Sequence, residues 1–175
     1  YLVNTPELGI NAATAGLIVA VYWALMMVGR FVGASIGSKV SSRAMLTTVS
    51  IATLILVSFG MFAPTDITVS VPGIDWANLK LIWANVPVGI FAFLLVGLCT
   101  SVMWGGIFNM AVEGLGKYTA VASGIFMTMV FGCAVMLAIQ AQVAEMTDYM
   151  TSYWVVLFSA AYLLFYALIG SKVKK

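Results

Sequence analysis

Residues 14–37 read TAGLIVAVYWALMMVGRFVGASIG. This run carries a single charge, Arg30, and exceeds the about 20 apolar residues that cross the hydrocarbon core of a bilayer. Four further apolar runs, each bounded by polar or turn residues, follow at Ala44 to Phe62, Ile82 to Ala111, Thr119 to Val143 and Ser152 to Gly170. The third is longer than a minimal span, and Pro87 marks either a bend in it or its true start. Across the 175 residues, 63% are hydrophobic and only 8% charged. Soluble domains carry roughly 25% charged residues, so this chain has too few to wet its outside. The expected fold is an all-α transmembrane helical bundle. The segment at about 63–81 is the longest loop, with a Pro72-Gly73 turn signal between Thr- and Val-rich stretches. It reads as a small hairpin or as a segment lying on the membrane surface.

Five spans alternate the connecting loops between two sides, and the charges sort with them. Lys39, Arg43, Lys117, Lys172, Lys174 and Lys175 fall on one side, with Arg30 just inside it. The other side holds Lys80 alone and collects Glu7, Asp66, Asp75, Glu145 and Asp148; Glu113 is the one acid on the basic side. Seven of the eight cationic residues therefore share a face, which the positive-inside rule assigns to the cytoplasm. The C-terminus is then expected inside and the N-terminus outside. Trp76, Trp83, Tyr149, Tyr153 and Trp154 gather near the external boundary, where amphipathic rings settle.

Several chemistries are excluded by what the chain lacks. It has no histidine, so neither a His metal site nor a Ser-His-Asp triad lies within it. Cys99 and Cys133 sit in apolar runs and read as free thiols. No Asp or Glu lies in the middle of a span, so no pair of titratable groups converges there for enzymatic work. No enzyme activity, cofactor, metal or nucleic-acid partner is expected. The opening YLVNTPELGINAA is too polar to span and reads as the tail of an earlier helix, with more chain expected before it.

Within the spans, a few residues break the apolar pattern. Gly29, Gly33 and Gly37 recur every fourth residue and line one helix face, which lets a neighbouring backbone approach. Such packing also suits a helix that rocks. Arg30 either snorkels to the basic interface or serves gating or partner binding. Gly97, Ser101, Gly105 and Asn109 form a second stripe at the same spacing, with Thr100 and Trp104 beside it. The stripe reads as small-residue packing or as the wall of an aqueous cavity offering hydroxyl, amide and indole groups to a polar solute. The adjacent Gly105 and Gly106 weaken the helix there, as in the broken helices of transporter sites. Tyr22 and Trp23 lie two turns into the first span, and such a pair of rings suits stacking on the apolar face of a sugar. The fourth span carries Gly124, Thr128 and Gly132 on one face and Phe126, Met129, Cys133, Met136 and Gln140 on another. The first set reads as packing and the second as adaptable apolar lining.

The run YWALMMVGRFVG (Tyr22 to Gly33) resembles the eighth-helix pattern Tyr-Trp-Gly-Gly-x-Met-x-Gly-Arg-Phe-x-Gly of the fucose–galactose–glucose:proton symporters, a branch of the major facilitator superfamily. SVMWGGIFNMAVEGLGKYTAVASGIFMTMVFG (Ser101 to Gly132) looks like the tenth-to-eleventh-helix segment of that family. The resemblance implies that the chain is the C-terminal part of a twelve-helix fold, five of the six helices of one half, with the N-terminal half lying elsewhere in the same protein. It implies a sugar carrier, for a hexose or deoxyhexose, coupled to protons by alternating access in a bacterial inner membrane. Tyr22, Trp23, Ser101, Trp104 and Asn109 would then be cavity residues, and Gly29, Arg30, Gly33 and Gly37 gating or packing residues. The chain departs from the family at Gly105-Gly106, where the family has Pro-Thr. It also lacks a late proline in the fourth span and the Asp of the gating loop at SKVSSR. A carrier of another solute, or a structural subunit of a membrane complex, are the alternative readings.

Overall fold

The computed structural model of the protein describes residues 10–75 and 80–170. Tyr1 to Asn4, Glu7, Trp76, Lys172, Lys174 and Lys175 fall outside them. Five helical stretches among the described residues are long and apolar enough to cross a membrane. They are α1 (Ala12–Gly37), α2 (Ser42–Phe62), α3 (Val88–Val112), the successive α4 (Thr119–Met129) and α5 (Phe131–Met146), and α6 (Tyr149–Phe165), which runs on into a π-turn at Tyr166–Gly170. This is the architecture of a multi-pass membrane protein.

Polar residues at the ends of the apolar runs start the helices by taking up free backbone donors. The Thr14 N–H donates to the Asn11 side chain at 2.7 Å and starts α1. The Ala44 N–H donates to the Ser41 hydroxyl at 3.3 Å and starts α2, two residues ahead of the apolar run at Ala44. The Asp148 carboxylate does the same for α6 through the Thr151 N–H, at 3.2 Å. The EGLGKY turn before α4 passes through Gly114 and Gly116, with φ of 78° and 50°. Only glycine adopts that region without a steric cost.

The segment between α2 and α3 folds as an antiparallel hairpin, β1 (Thr68–Asp75) and β2 (Lys80–Pro87), paired from Thr68↔Pro87 to Asp75↔Lys80. The third apolar run therefore does not begin its helix at Ile82. Residues 82–87 are strand, and α3 starts at Val88 because proline restricts the residue before it to extended backbone. The Pro72-Gly73 pair is not the turn either; it lies inside β1, opposite Trp83 and Ile82. A two-stranded ribbon has only edge strands, so Pro72 removes no obligatory ladder bond. Gly73 lies flat on α1, where an added Cβ would overlap the Thr14 side chain.

The expected fourth span, Thr119 to Val143, lies within one spanning stretch, Gly116–Met146, whose helix tightens at Val130. There the backbone tightens, with the Val130 N–H on the Met127 carbonyl at 3.2 Å and the Cys133 N–H on the Val130 carbonyl at 2.9 Å. The Thr128 hydroxyl bonds back to the Gly124 carbonyl at 3.1 Å, and Gly132 follows. A back-bonding threonine and a glycine are both recognised causes of helix bending. The contacts differ on either side of Val130: α4 packs on α3, whereas α5 packs on α6.

Helix α3 is the centre of the bundle. Helices α1 and α2 lie along it, and α6 packs on α2 while its Tyr153 ring stacks on Phe93 of α3, 4.3 Å between centroids. At one end Ile10, Ala15, Val86 and Ile90 form a core that fastens the hairpin to α1 and α3. At the other end Leu46, Met103 and Ala167 join α2, α3 and the π-turn. Glycines bring α2 and α3 close, since a Cβ on Gly89 would stand 2.8 Å from the Gly60 carbonyl oxygen. Cys99 is buried and Cys133 exposed, and neither forms a disulfide.

Candidate functional site

The α1–α3 contact is tight in the middle and loosens away from the hairpin. A Cβ on Gly97 would lie 2.8 Å from the Tyr22 ring. One on Gly29 would lie 2.6 Å from the Leu98 carbonyl oxygen and 3.1 Å from the Ser101 Cβ. One turn on, Gly33 meets only a Val102 methyl, at 3.2 Å, and beyond it Gly37 meets only the Met45 sulfur, at 3.8 Å. Gly105, on the facing stretch of α3, has nothing within 4 Å. The widening crevice is a cavity of about 470 Å³ between α1, the start of α2 and α3. Sites for small molecules run from about 300 to 1,000 Å³.

The cavity wall collects residues from both stripes. From α1 come Arg30, Gly33 and Gly37, and from α3 come Ser101, Trp104, Gly105 and Asn109. Ser42 and Met45 of α2 close the end. Arg30 makes no ion pair among the described residues. Ser101 is 7% exposed, and its hydroxyl has no hydrogen-bond partner among the described residues. Its neighbour Thr100 instead donates back to the Gly97 carbonyl at 3.1 Å. An unpaired buried hydroxyl costs about 1–3 kcal/mol, and this one lies at the tight Gly29 contact, closed off from the cavity surface. Trp104 is 43% exposed and Asn109 is exposed, both with polar edges that donate to hydroxyl oxygens. A cation, an indole and an amide on one wall can hold a polyhydroxylated solute by hydrogen bonds and ring stacking.

Of the residues singled out in the sequence, the structure brings Arg30, Gly33, Gly37, Ser101, Trp104 and Asn109 to this one cavity. Gly29 is a packing contact at its apex. Tyr22 and Trp23 are not in the wall. Tyr22 is half-buried over Gly97, and Trp23 is 60% exposed and meets Tyr22 edge-on at 5.9 Å between ring centroids. Trp23 is seven residues before Arg30, hence about two turns and roughly 10 Å nearer the hairpin on a similar face of α1. Sequence reasoning missed Ser42 and Met45, because only the fold of the SKVSS turn returns α2 to the crevice. It also missed that Phe126 of α4 packs on Trp104 and Phe108, at 5.4 and 5.5 Å between centroids.

Accessibility separates the two ends of the α3 stripe. On a Cys99→Ser, Cys133→Ser background, Gly105→Cys is expected to react with a water-soluble thiol reagent and to be protected by a bound solute. Gly97→Cys, pressed on Tyr22, is expected to stay unlabelled. Equal labelling at both positions would show that the crevice does not close toward the hairpin.

No family model matches the chain, and no solved structure matches it. Curated relatives do. The chain is 28% identical over 172 residues to a glucose/galactose transporter of Brucella abortus (biovar 1, strain 9-941), an alignment covering 98% of this chain and 37% of the relative. It is 27% identical over 170 residues to a putative glucose/galactose transporter of Helicobacter pylori (strain J99), covering 94% of this chain and 37% of the relative. The chain thus spans little more than a third of the length of these relatives. Their names agree with the motif resemblance to sugar symporters, they are transporters and not enzymes, and the five-span bundle is consistent with part of a major facilitator fold. By sequence the chain is similar, over nearly all its length, to part of a larger sugar transporter.

Proposed function

We propose that the chain is the C-terminal half of a proton-coupled sugar carrier of the bacterial inner membrane, working by alternating access. The α1–α3 cavity contributes one wall of the solute path. The observation that carries this reading is the convergence of Arg30, Ser101, Trp104 and Asn109 on one cavity in a chain related to glucose/galactose transporters. The N-terminal half of the same protein supplies the opposing wall and the proton-carrying carboxylate, since the described spans hold no acid in their interiors. Seven of eight cationic residues share the side with Arg30 and Lys39, which supports a cytoplasmic C-terminus. The cavity then opens toward the cytoplasm, and the hairpin end faces out. Sugar and proton each bind one state more tightly than the other, and that difference drives the exchange.

The test is uptake of labelled glucose, galactose and fucose by proteoliposomes carrying the full-length gene product. An inward proton gradient is imposed and then collapsed with an ionophore. Gradient-dependent accumulation of one sugar, competed by its relatives, is the expected result. Accumulation that survives the ionophore would remove the proton, and no uptake by correctly inserted protein would remove the sugar.

A further inference from the structure

Trp104 of the cavity wall also touches a helix outside that wall. The Phe126 ring of α4 packs against the indole, 5.4 Å away at 59°, and against Phe108, 5.5 Å away at 74°. Trp104 and Phe108 are one turn apart on α3, so Phe126 inserts as a knob between two rings of the neighbouring helix. Beyond Val130 the chain leaves α3 and packs on α6. Helix α4 is therefore a short piece of 11 residues, none of them buried, which meets the cavity helix through this aromatic contact. Val130 itself keeps helical backbone angles, φ −58° and ψ −24°, so α4 runs on through it into α5.

We propose that Phe126 is a positioning residue for the solute: it holds the Trp104 indole in the cavity wall, and the pose of α4 against α3 sets the stacking surface a sugar meets. The functional half of this inference rests on the sugar-carrier reading; the structural half does not. Phe126 touches no solute itself. A displaced α4 withdraws the ring, and the indole then regains rotamers that no longer face the cavity. Trp104 carries the stacking, so loss of Phe126 weakens binding rather than the exchange between states.

Two readouts test it in the full-length gene product. The chain has five tryptophans, so Trp104 emission is isolated as the difference between each protein and its Trp104→Phe counterpart. Phe126→Ala is expected to shift that difference spectrum and lower its anisotropy, without any sugar present, while Phe126→Tyr keeps both. In uptake, Phe126→Ala is expected to raise KM roughly fivefold, the size of one lost aromatic pair, with Vmax within about twofold and KM restored by Phe126→Tyr. Val121→Ala, which only trims an exposed side chain of α4 five residues before Phe126, serves as the control and leaves both unchanged. An unaltered Trp104 spectrum in Phe126→Ala, or a fall in Vmax at constant KM, overturns the proposal. If the parent protein takes up no sugar, the carrier reading fails, and the emission arm still decides whether Phe126 positions Trp104.

Discussion

Gly29→Leu is expected to abolish uptake, falling by more than tenfold. Even the first carbon of a side chain at position 29 would stand 2.6 Å from the Leu98 carbonyl oxygen and 3.1 Å from the Leu98 Cα. Both are backbone atoms in the middle of α3, so no rotamer change relieves the overlap. Helices α1 and α3 must move apart, and the neighbouring contacts of Gly33 on Val102 and Tyr22 on Gly97 loosen with them. Overpacking of this kind destabilises by about 1–3 kcal/mol. Thermal unfolding followed by fluorescence-detected size exclusion measures that part, and proteoliposome uptake measures the rest. Gly16→Leu provides the comparison: it lies on the same helix with nothing within 4 Å, and it is expected to fold and transport normally. Equal behaviour of the two variants would mean that close approach at Gly29 does not organise the crevice.

Trp104→Ala is the second large effect, and it falls on binding rather than stability. The indole is 43% exposed in the cavity wall, so its removal leaves little packing to lose beyond the Phe126 contact. What goes is the flat surface and the N–H donor offered to a sugar. A loss of about 1.4 kcal/mol corresponds to a tenfold rise in KM, and Trp104→Phe is expected to fall between, keeping the ring face and losing the donor. Trp23→Ala tests the other candidate ring. It lies roughly 10 Å nearer the hairpin and outside the cavity wall, so its KM is expected to stay within about twofold of the parent. A larger effect at Trp23 than at Trp104 would move the binding site toward the hairpin end of α1.

The sequence carried different parts of this picture with different force. The five apolar runs were legible because lipid requires each spanning segment to satisfy its own backbone, so every span must be a long apolar helix. Pro87 marked the true start of the third helix, but the irregularity in the fourth span was not legible. The helix tightens at Val130 beside a threonine back-bond and a nearby glycine, a local balance that hydropathy does not register. Pro72-Gly73 carried a strong turn signal, yet the pair lies in a strand, because Thr14 accepts a flat glycine there and Val86 anchors the partner strand in the α1–α3 core.

The stripe Gly97, Ser101, Gly105 and Asn109 marks the boundary between the two kinds of knowledge. Its fourfold spacing determined, without any structure, that these residues share one face of one helix. Whether each is packing or cavity depends on the distance to α1, which narrows to a backbone contact at Gly29 and opens past Gly33. That separation is set by contacts remote in sequence: Tyr22 on Gly97, the hairpin core at one end, and the Leu46–Met103–Ala167 core at the other. Helical periodicity is a property of one segment, so the sequence by itself determined which side each residue occupies. Crevice width is a property of two helices held by distant packing, so only the tertiary structure decided that Gly97 packs while Gly105 and Asn109 line the open cavity.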